Sequence, residues 1–240
     1  MPRSLVALCL LGAASVPGRA NGQSDGVVYR ANWADIALVT VSGAAALLPS
    51  LFELPHGAPS CAPCNSAGLS GVDRWAVGQH SSLAQTGSNL MLVGIGGVST
   101  YLTLHDRSPA QARGNLAVLA NSISWTAAST QWLKVLVRRK RPVLYTSGAV
   151  AAAGDPDNQR SFPSNHTSFA FAIATSYLVM GQREHLPHHT RNALLLLAGA
   201  TGIGVLRVVS GNHFPTDVLG GAALGSGVGW LVATLHPRVP

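Results

Sequence analysis

Apolar residues fall in six long stretches along this chain, and polar residues concentrate in the connections between them. The stretches cover about 33–52, 83–104, 115–137, 167–180, 191–209 and 215–235. Each is longer than a typical strand and lacks an alternation of period two, so each is predicted to be helical. The pattern therefore predicts an all-α fold, a bundle of about six helices.

Two helix ends can be predicted from individual residues. Pro215 and Asp217 are suited to the first turn of the sixth helix, where proline fits the backbone and a carboxylate complements the helix dipole. Gly181 is predicted to be the C-cap of the fourth helix. The connections at 53–82 and 143–162 are rich in Pro, Gly, Ser or Ala and are predicted to be loops.

The first twenty residues have the composition of a secretory signal peptide. A basic start at Arg3 precedes an apolar run from Leu5 to Ala14, and small residues follow at Gly18 and Ala20. Because the run is too short to span a membrane, we expect cleavage after Ala20 and export to the periplasm or membrane of a bacterial envelope. The predicted organisation is a signal peptide at 1–20, an N-terminal helix and cysteine-containing loop at 21–84, and a core at 85–236.

Two cysteines follow the predicted signal, Cys61 and Cys64. In an oxidising compartment a local disulfide is favoured. A redox-active pair is the alternative, and a zinc site would need further ligands. The cluster of His185, His188 and His189 could bind a metal but, on a polar connection, is more typical of a solvated surface.

Composition leaves two environments open for the bundle. Charged residues make up only 10% of the chain, which disfavours a nucleic-acid partner despite the net charge of +7. The sixth stretch is uncharged from Val218 to Leu235 and carries glycines every four residues, as membrane helices often do. The third stretch, however, is rich in Ser, Thr and Asn, and the mean hydropathy is only +0.27. Both a membrane protein and an exported soluble bundle fit, and after signal cleavage a six-span arrangement would place the basic run 138–141 in the cytoplasm, as the positive-inside rule accepts.

Three polar clusters lie at the ends of predicted helices. Lys134 and Arg141 are seven residues apart and are predicted to lie two turns apart on one helix face, where they could grip one anion. Ser164 precedes a helix N-terminus, whose free N–H groups bind anions. His213 and Asp217 lie one turn apart if a helix covers both, so that the carboxylate can orient the imidazole. Taken singly, each cluster also fits a structural explanation: a basic helix end, a capping serine or a local contact.

Together the clusters resemble the motifs of the type 2 phosphatidic acid phosphatases (PAP2), which vanadium haloperoxidases and bacterial class A acid phosphatases share. The segments are Lys134-x6-Arg141-Pro142, Pro163-Ser-Asn-His166 and Arg207-x5-His213-x3-Asp217. Their order and internal spacing match the family, and the resemblance covers about residues 85–235. Asn165 stands where the family has Gly, and Leu206 where it has Ser before the arginine.

The resemblance implies a role for each matched residue. His213 is the nucleophile that forms a phosphohistidine, Asp217 orients it, and His166 protonates the leaving oxygen. The phosphoryl oxygens are bound by Lys134, Arg141, Ser164, Asn165 and Arg207.

The function predicted in this way is hydrolysis of a phosphate monoester or a lipid (di)phosphate. No metal or other cofactor is expected, and vanadate should bind as a phosphate mimic. The alternatives are a vanadate-dependent haloperoxidase and a non-catalytic envelope protein of the same fold. The substrate class, membrane topology and oligomeric state do not follow from the sequence.

Overall fold

The computed structural model describes residues 28–237, and the predicted signal peptide lies outside them. The described chain is all helical, as predicted. Its α-helices are α1 (Trp33–Leu51), α2 (Gly71–Arg74), α3 (Ser82–Leu104), α4 (Pro109–Val137), α5 (Ala149–Ala152), α6 (Asn165–Arg183), α7 (His189–Val209) and α8 (Pro215–Leu235). Short 3₁₀ turns occupy Ser66–Gly68, Pro142–Tyr145 and Pro156–Gln159. The six long helices correspond to the six apolar stretches.

Polar caps start three of the long helices. The Asn32 side chain accepts a hydrogen bond from Ala34, and Asp35 closes a capping box at the start of α1. Ser81 and Ser108 cap α3 and α4 in the same way. Each cap satisfies N–H groups that have no partner within their helix. These three helices therefore begin directly after a polar cap residue at the end of a connection.

Helix α6 is the centre of the bundle and packs against α3, α4, α7 and α8. Its closest neighbour is α8, where Gly221, Gly225 and Gly229 face the α6 backbone. A β-carbon on Gly225 would lie 2.0 Å from the carbonyl oxygen of Ser168, and one on Gly229 would lie 2.4 Å from that of Ala172. The glycines every four residues therefore let two helix backbones touch.

Gly181 is not the C-cap of α6, contrary to the prediction. The helix continues to Arg183, and Glu184 is its C-cap. A β-carbon on Gly181 would lie 2.8 Å from the β-carbon of His189, at the start of α7. The glycine therefore serves a close approach between the ends of two helices.

The bundle exposes many large apolar side chains, and many polar side chains are buried beside its apolar core. On α3 the large side chains of Leu83, Leu90 and Val93 are exposed, whereas Ser88 and Ser99 are fully buried. The polar residues of α4 also point inward: Asn115, Asn121, Ser122, Thr126 and Thr130 are all buried. Three helices, α1, α7 and α8, are long and apolar enough to cross a membrane.

Helix α1 is packed along α4. The Ser42 hydroxyl donates to Ser124 Oγ at 2.8 Å, and the Trp132 indole donates to the carbonyl of Ala45 at 3.0 Å. At one end of the bundle, Arg30 N donates to the carbonyl of Pro237, so the two ends of the described chain meet there. The three sequence motifs lie at the opposite end.

Candidate active site

Lys134 lies in the last turn of α4, and Arg141 lies beyond its end. The helix stops because Arg138 adopts a left-handed conformation, with φ of 51°. Arg141 is extended, as expected of a residue before proline. The two cations therefore do not share a helix face, contrary to the prediction. The chain turns back instead, and Arg141 donates from Nη1 to the carbonyl of Asn212, next to His213, at 3.3 Å.

The second motif forms the N-terminus of α6. Ser164 is its N-cap residue and is fully buried. Within residues 28–237 the Ser164 side chain makes no capping hydrogen bond; its oxygen accepts from the Thr167 hydroxyl at 3.1 Å. The Ser164 hydroxyl proton is therefore available to an anion at the first turn, where free N–H groups already favour negative charge. Asn165 and His166 are the first two residues of the helix.

The third motif spans the connection from α7 to α8. Arg207 is in the last turn of α7 and Asp217 in the first turn of α8, whereas His213 precedes the helix. No single helix covers His213 and Asp217, yet their Nδ1 and Oδ2 atoms lie 3.6 Å apart. The Asp217 carboxylate accepts hydrogen bonds from Phe214 N at 2.9 Å and from the Ser161 hydroxyl at 2.5 Å. These two donors hold the carboxylate beside the imidazole.

The three motifs act on each other electrostatically. Lys134 and Arg141 interact electrostatically with both His166 and His213. Arg207 interacts in the same way with His166. Burial lowers the pKa of His213 well below its ordinary value of 6.5, and the two cations lower it further, against the opposing effect of Asp217. His213 is therefore neutral at neutral pH, which is the protonation state of a nucleophile.

Two buried nitrogens of the motifs lack a hydrogen-bond partner among residues 28–237. They are Nε of Arg207 and Nδ1 of His213. The ammonium group of Lys134 is fully buried and donates to the carbonyl of Arg160 at 2.5 Å. Nδ1 of His213 faces Asp217 Oδ2 at 3.6 Å. Buried polar groups normally find partners, so the unpaired Nε of the buried Arg207 cation is expected where a ligand completes the site.

The sequence profile of the PAP2 superfamily matches residues 115–239, which include all three motifs. This chain belongs to the PAP2 superfamily. The resemblance inferred from the motifs is thereby confirmed.

Two curated relatives share part of the chain. The decaprenylphosphoryl-5-phosphoribose phosphatase of Mycobacterium tuberculosis is 37% identical over 100 residues, 42% of this chain and 49% of that protein. The lipid A 1-phosphatase of Porphyromonas gingivalis is 34% identical over 114 residues, 43% of this chain and 24% of that protein. The chain thus spans half or less of the length of these relatives.

One solved structure is also similar, the crystal structure of the first transmembrane PAP2 type phosphatidylglycerolphosphate phosphatase from Bacillus subtilis. Its sequence is 20% identical, and the superposition covers 85% of this chain and 96% of that chain with a TM-score of 0.47.

Helix α3 contributes two contacts to the PAP2 motifs that the sequence analysis missed. Asn89 Oδ1 lies 2.7 Å from His166 Nε2, and Arg207 Nη1 donates to the Ser88 hydroxyl at 3.4 Å. The family motif has a serine immediately before this arginine, and in this chain that position is Leu206. Ser88 of α3 provides Arg207 with a hydroxyl partner. Neither residue is charged or part of a recognisable motif, so the sequence held no signal for them.

Arg139 and Asp73 were also missed. Arg139 lies between Lys134 and Arg141 in the first motif, and its guanidinium bonds to Asp217 Oδ1 at 2.5 Å and to Asp73 Oδ2 at 2.7 Å. Asp73 belongs to α2, in the connection that the sequence analysis left outside the family resemblance. The sequence of the basic run 138–141 does not indicate which of its side chains point inward. The structure shows that Arg139 does.

The remaining predicted sites lie at the two ends of the bundle. Cys61 and Cys64 form a disulfide, and Cys64 N donates to the carbonyl of Leu144, three residues beyond Arg141. His185 and His188 lie at the opposite end, between α6 and α7, and His189 is the first residue of α7. Across residues 28–237 no group of three or more His, Cys, Asp or Glu side chains is arranged to hold a metal ion.

Proposed function

We propose that this chain is a membrane-embedded phosphatase that removes phosphate from a lipid phosphate through a phosphohistidine intermediate. One observation carries the proposal: the buried imidazole of His213 lies 3.6 Å from the Asp217 carboxylate, and the charges of Lys134 and Arg141 act on it. The combination of a neutral nucleophile, an orienting carboxylate and fixed cations is what phosphoryl transfer requires.

The first step forms a bond between His213 and phosphorus and breaks the bond to the leaving oxygen. Because Nδ1 of His213 faces Asp217, the free nitrogen Nε2 is the attacking atom. Asp217 then stabilises the positive charge that develops on the ring. His166 enters this step as the imidazolium: its Nε2–H donates to Asn89 Oδ1, and its Nδ1–H gives the proton to the leaving oxygen, which leaves the ring neutral. Water then attacks phosphorus, His166 takes a proton from it, and the bond to His213 breaks.

The phosphoryl oxygens are placed among Lys134, Arg141 and Arg207, with the Ser164 hydroxyl and the N–H of Asn165 completing the set. Three fixed cations stabilise the spread negative charge of the transition state, and we propose that they do so without a metal ion. Hydrolysis should therefore persist in EDTA. Loss of activity in EDTA, with recovery on adding a divalent metal, would contradict this part of the proposal.

The central test compares His213→Ala with His80→Ala in detergent-purified protein. His80 is an exposed histidine of the 52–81 connection, so its replacement is a matched control. Release of inorganic phosphate from phosphatidic acid should fall by about 10³-fold or more in the first variant and stay unchanged in the second. A radiolabelled, alkali-stable phosphoenzyme should form in the control and be lost in His213→Ala. Full activity in His213→Ala would refute the proposal.

The surface of the bundle favours a membrane environment over a soluble one. Soluble monomers rarely expose contiguous apolar patches beyond a few hundred Å², yet α1 alone exposes seven large apolar side chains, namely Trp33, Ile36, Leu38, Val41, Leu47, Leu48 and Leu51. The inward orientation of the polar residues of α4 removes the main argument for a soluble bundle. Recovery of the protein in the membrane fraction after a high-salt wash is the expected result.

A groove between α3, α4 and α6 favours a lipid as substrate. Its volume is about 610 Å³, and its lining is Gly96, Gly97, Thr100, Tyr101, Leu119, Ile123 and Ile173. Gly96 is seven residues beyond Asn89 on the same helix, so the groove begins about 10 Å below the site at 1.5 Å per residue. A hydrocarbon chain attached to a bound phosphate can occupy it.

Gly97→Leu tests the groove. Apart from its chain neighbours and the adjoining backbone of α3, no heavy atom of residues 28–237 lies within 4 Å of a β-carbon at Gly97, so a larger side chain fits and fills the groove. The KM for a sixteen-carbon phosphatidic acid should rise, whereas the KM for a short-chain analogue should not change. An equal change for both substrates would contradict a chain-binding role.

The disulfide suggests the orientation of the bundle. It lies at the active-site end, and stable disulfides form in oxidising compartments, so we propose that this end faces away from the cytoplasm. The ends of the described chain then face the cytoplasm. With six spans this orientation conflicts with signal cleavage, which would leave the N-terminus outside. Sequencing the N-terminus of the membrane-bound protein distinguishes the two: a chain starting at Asn21 would contradict the proposed orientation.

A further inference from the structure

Arg139 is shared by two buried carboxylates. Its Nη1 donates to Asp217 and its Nη2 to Asp73, at 2.5 and 2.7 Å. The Asp217 side chain is 0% exposed and that of Asp73 is 5% exposed. Asp73 lies outside the three motifs, in the short helix α2, and yet it reaches the carboxylate that orients His213 through a single guanidinium group.

Several further bonds fix this arrangement. Asp73 accepts hydrogen bonds from the backbone N–H of Thr216 at 3.1 Å and from its hydroxyl at 2.9 Å. The guanidinium carbon of Arg139 lies 4.5 Å from the centre of the Phe214 ring, a cation–π contact. Thr216 and Phe214 flank the start of α8, so the contacts join α2 to the segment that carries His213 and Asp217.

The charges of the three side chains explain why a second carboxylate is present. His213 becomes cationic when it carries the phosphoryl group, and Asp217 must then offer it negative charge. An isolated pair of Arg139 and Asp217 would have no net charge. With Asp73 included, the three side chains carry a net charge of −1, so Arg139 can hold Asp217 in place without cancelling its effect on the ring.

We infer that Asp73 and Arg139 are positioning residues for the proposed reaction: Arg139 fixes Asp217, and Asp73 offsets the charge of Arg139. The inference rests on the proposed function, because it concerns the stabilisation of the phosphohistidine. It assigns a role in the reaction to the 52–81 connection, which the family motifs do not include.

The experiment compares Asp73→Asn, Arg139→Gln and the double variant carrying both changes. Asp73→Asn leaves Arg139 to neutralise Asp217, so kcat should fall about tenfold while KM changes by less than about twofold. Arg139→Gln leaves two carboxylates without a cation and should also lower kcat. The double variant restores a net charge of −1 at Asp217, so its kcat should exceed that of either single variant by at least about threefold.

Controls separate this role from general structural support. Glu53→Gln, in the same connection as Asp73, and Arg138→Gln, next to Arg139 in the sequence, remove exposed charges of the same signs and should leave kcat unchanged. Arg139→Lys keeps the charge and should retain more activity than Arg139→Gln. If Asp73→Asn does not fold, the comparison of Arg139→Lys with Arg139→Gln tests the inference. Equal kcat values in these two variants would refute it.

The possible results distinguish the inference from the proposed function. An active wild-type protein with an unchanged kcat in folded Asp73→Asn would refute the inference alone. A double variant no better than the worse single variant would show that the contacts only support the fold, and would refute it as well. A wild-type protein without phosphatase activity would refute the proposed function and the inference with it.

Discussion

The contact between α6 and α8 predicts a large effect from a single methyl group far from the site. Gly225 lies two turns below Asp217 on α8 and faces the backbone of α6. In Gly225→Ala the new β-carbon would lie 2.0 Å from the carbonyl oxygen of Ser168 and 2.8 Å from its carbon. Backbone atoms cannot rotate away as a side chain can, so the two helices must separate.

The size of the separation follows from these distances. β-Carbon contacts below 3.0 Å essentially do not occur, so the gap must open by at least about 1 Å. Overpacking of this kind costs about 1–3 kcal/mol of stability. The same interface carries the site, because Ser164 N on α6 donates to the carbonyl of Asp217 on α8 at 3.0 Å. A misplacement of about 1 Å between catalytic groups can lower the rate by about 10²-fold.

Gly227→Ala is the matched control on the same helix. Apart from its chain neighbours and the adjoining backbone of α8, no heavy atom of residues 28–237 lies within 4 Å of a β-carbon there. This variant should keep full activity and gain up to about 1 kcal/mol from helix propensity. Both variants would be assayed for phosphate release in detergent and for the temperature of unfolding. A Gly225→Ala protein with the kcat and unfolding temperature of Gly227→Ala would refute the close contact between α6 and α8.

Three further predictions concern the chemistry. The acid limb of the kcat/KM profile should lie below pH 6.5, because burial lowers the pKa of His213 and the ring stays a neutral nucleophile until it is protonated; a limb at or above pH 6.5, after allowance for titration of the substrate phosphate, would contradict this. Asn89→Ala should lower kcat about tenfold for alkyl phosphates and little for p-nitrophenyl phosphate, because only a poor leaving group needs the proton of His166; equal losses would contradict the role of Asn89. Orthovanadate should inhibit hydrolysis competitively with substrate, and inhibition unaffected by substrate concentration would contradict binding at His213.

The fold could be predicted largely from the hydrophobic pattern. Helices α4, α6 and α7 begin and end within about six residues of the third, fourth and fifth apolar stretches. The bounds of α8 coincide with those of the sixth stretch. Polar caps account for most of the difference: α4 begins at Pro109, just after Ser108, rather than where its apolar residues begin. Spacing failed where the chain turns. Lys134 and Arg141 were placed on one helix face, but α4 ends between them, at Val137, because Arg138 is left-handed.

The part of the site that lies outside the motifs could not be predicted. Asn89 acts on His166 across a separation of 77 residues, and Asp73 bonds to Thr216 across 143. Asparagine in an apolar helix and aspartate in a polar loop are both ordinary by composition. Only the packing of α3 against α6, and of α2 against the start of α8, brings them to the motifs. Distances of this kind are a property of the fold and leave no local pattern in the sequence.

The polar residues of α4 show why hydropathy alone left the environment of the bundle open. The mean hydropathy of a helix takes no account of the direction in which each side chain points. In α4 the polar Asn121 is buried, whereas the apolar Leu116 is exposed. In a lipid environment polar groups must find partners inside the protein, and the amide nitrogen of Asn121 donates to Asp35 and to the carbonyl of Ala117. The charged groups of the proposed site are accommodated by their position along the helices. Lys134, His166, Arg207 and Asp217 all lie in a first or last turn, where the cost of placing charge in a membrane is smallest. A chain with so few charges can therefore keep a dense catalytic cluster, provided that it is built from helix ends.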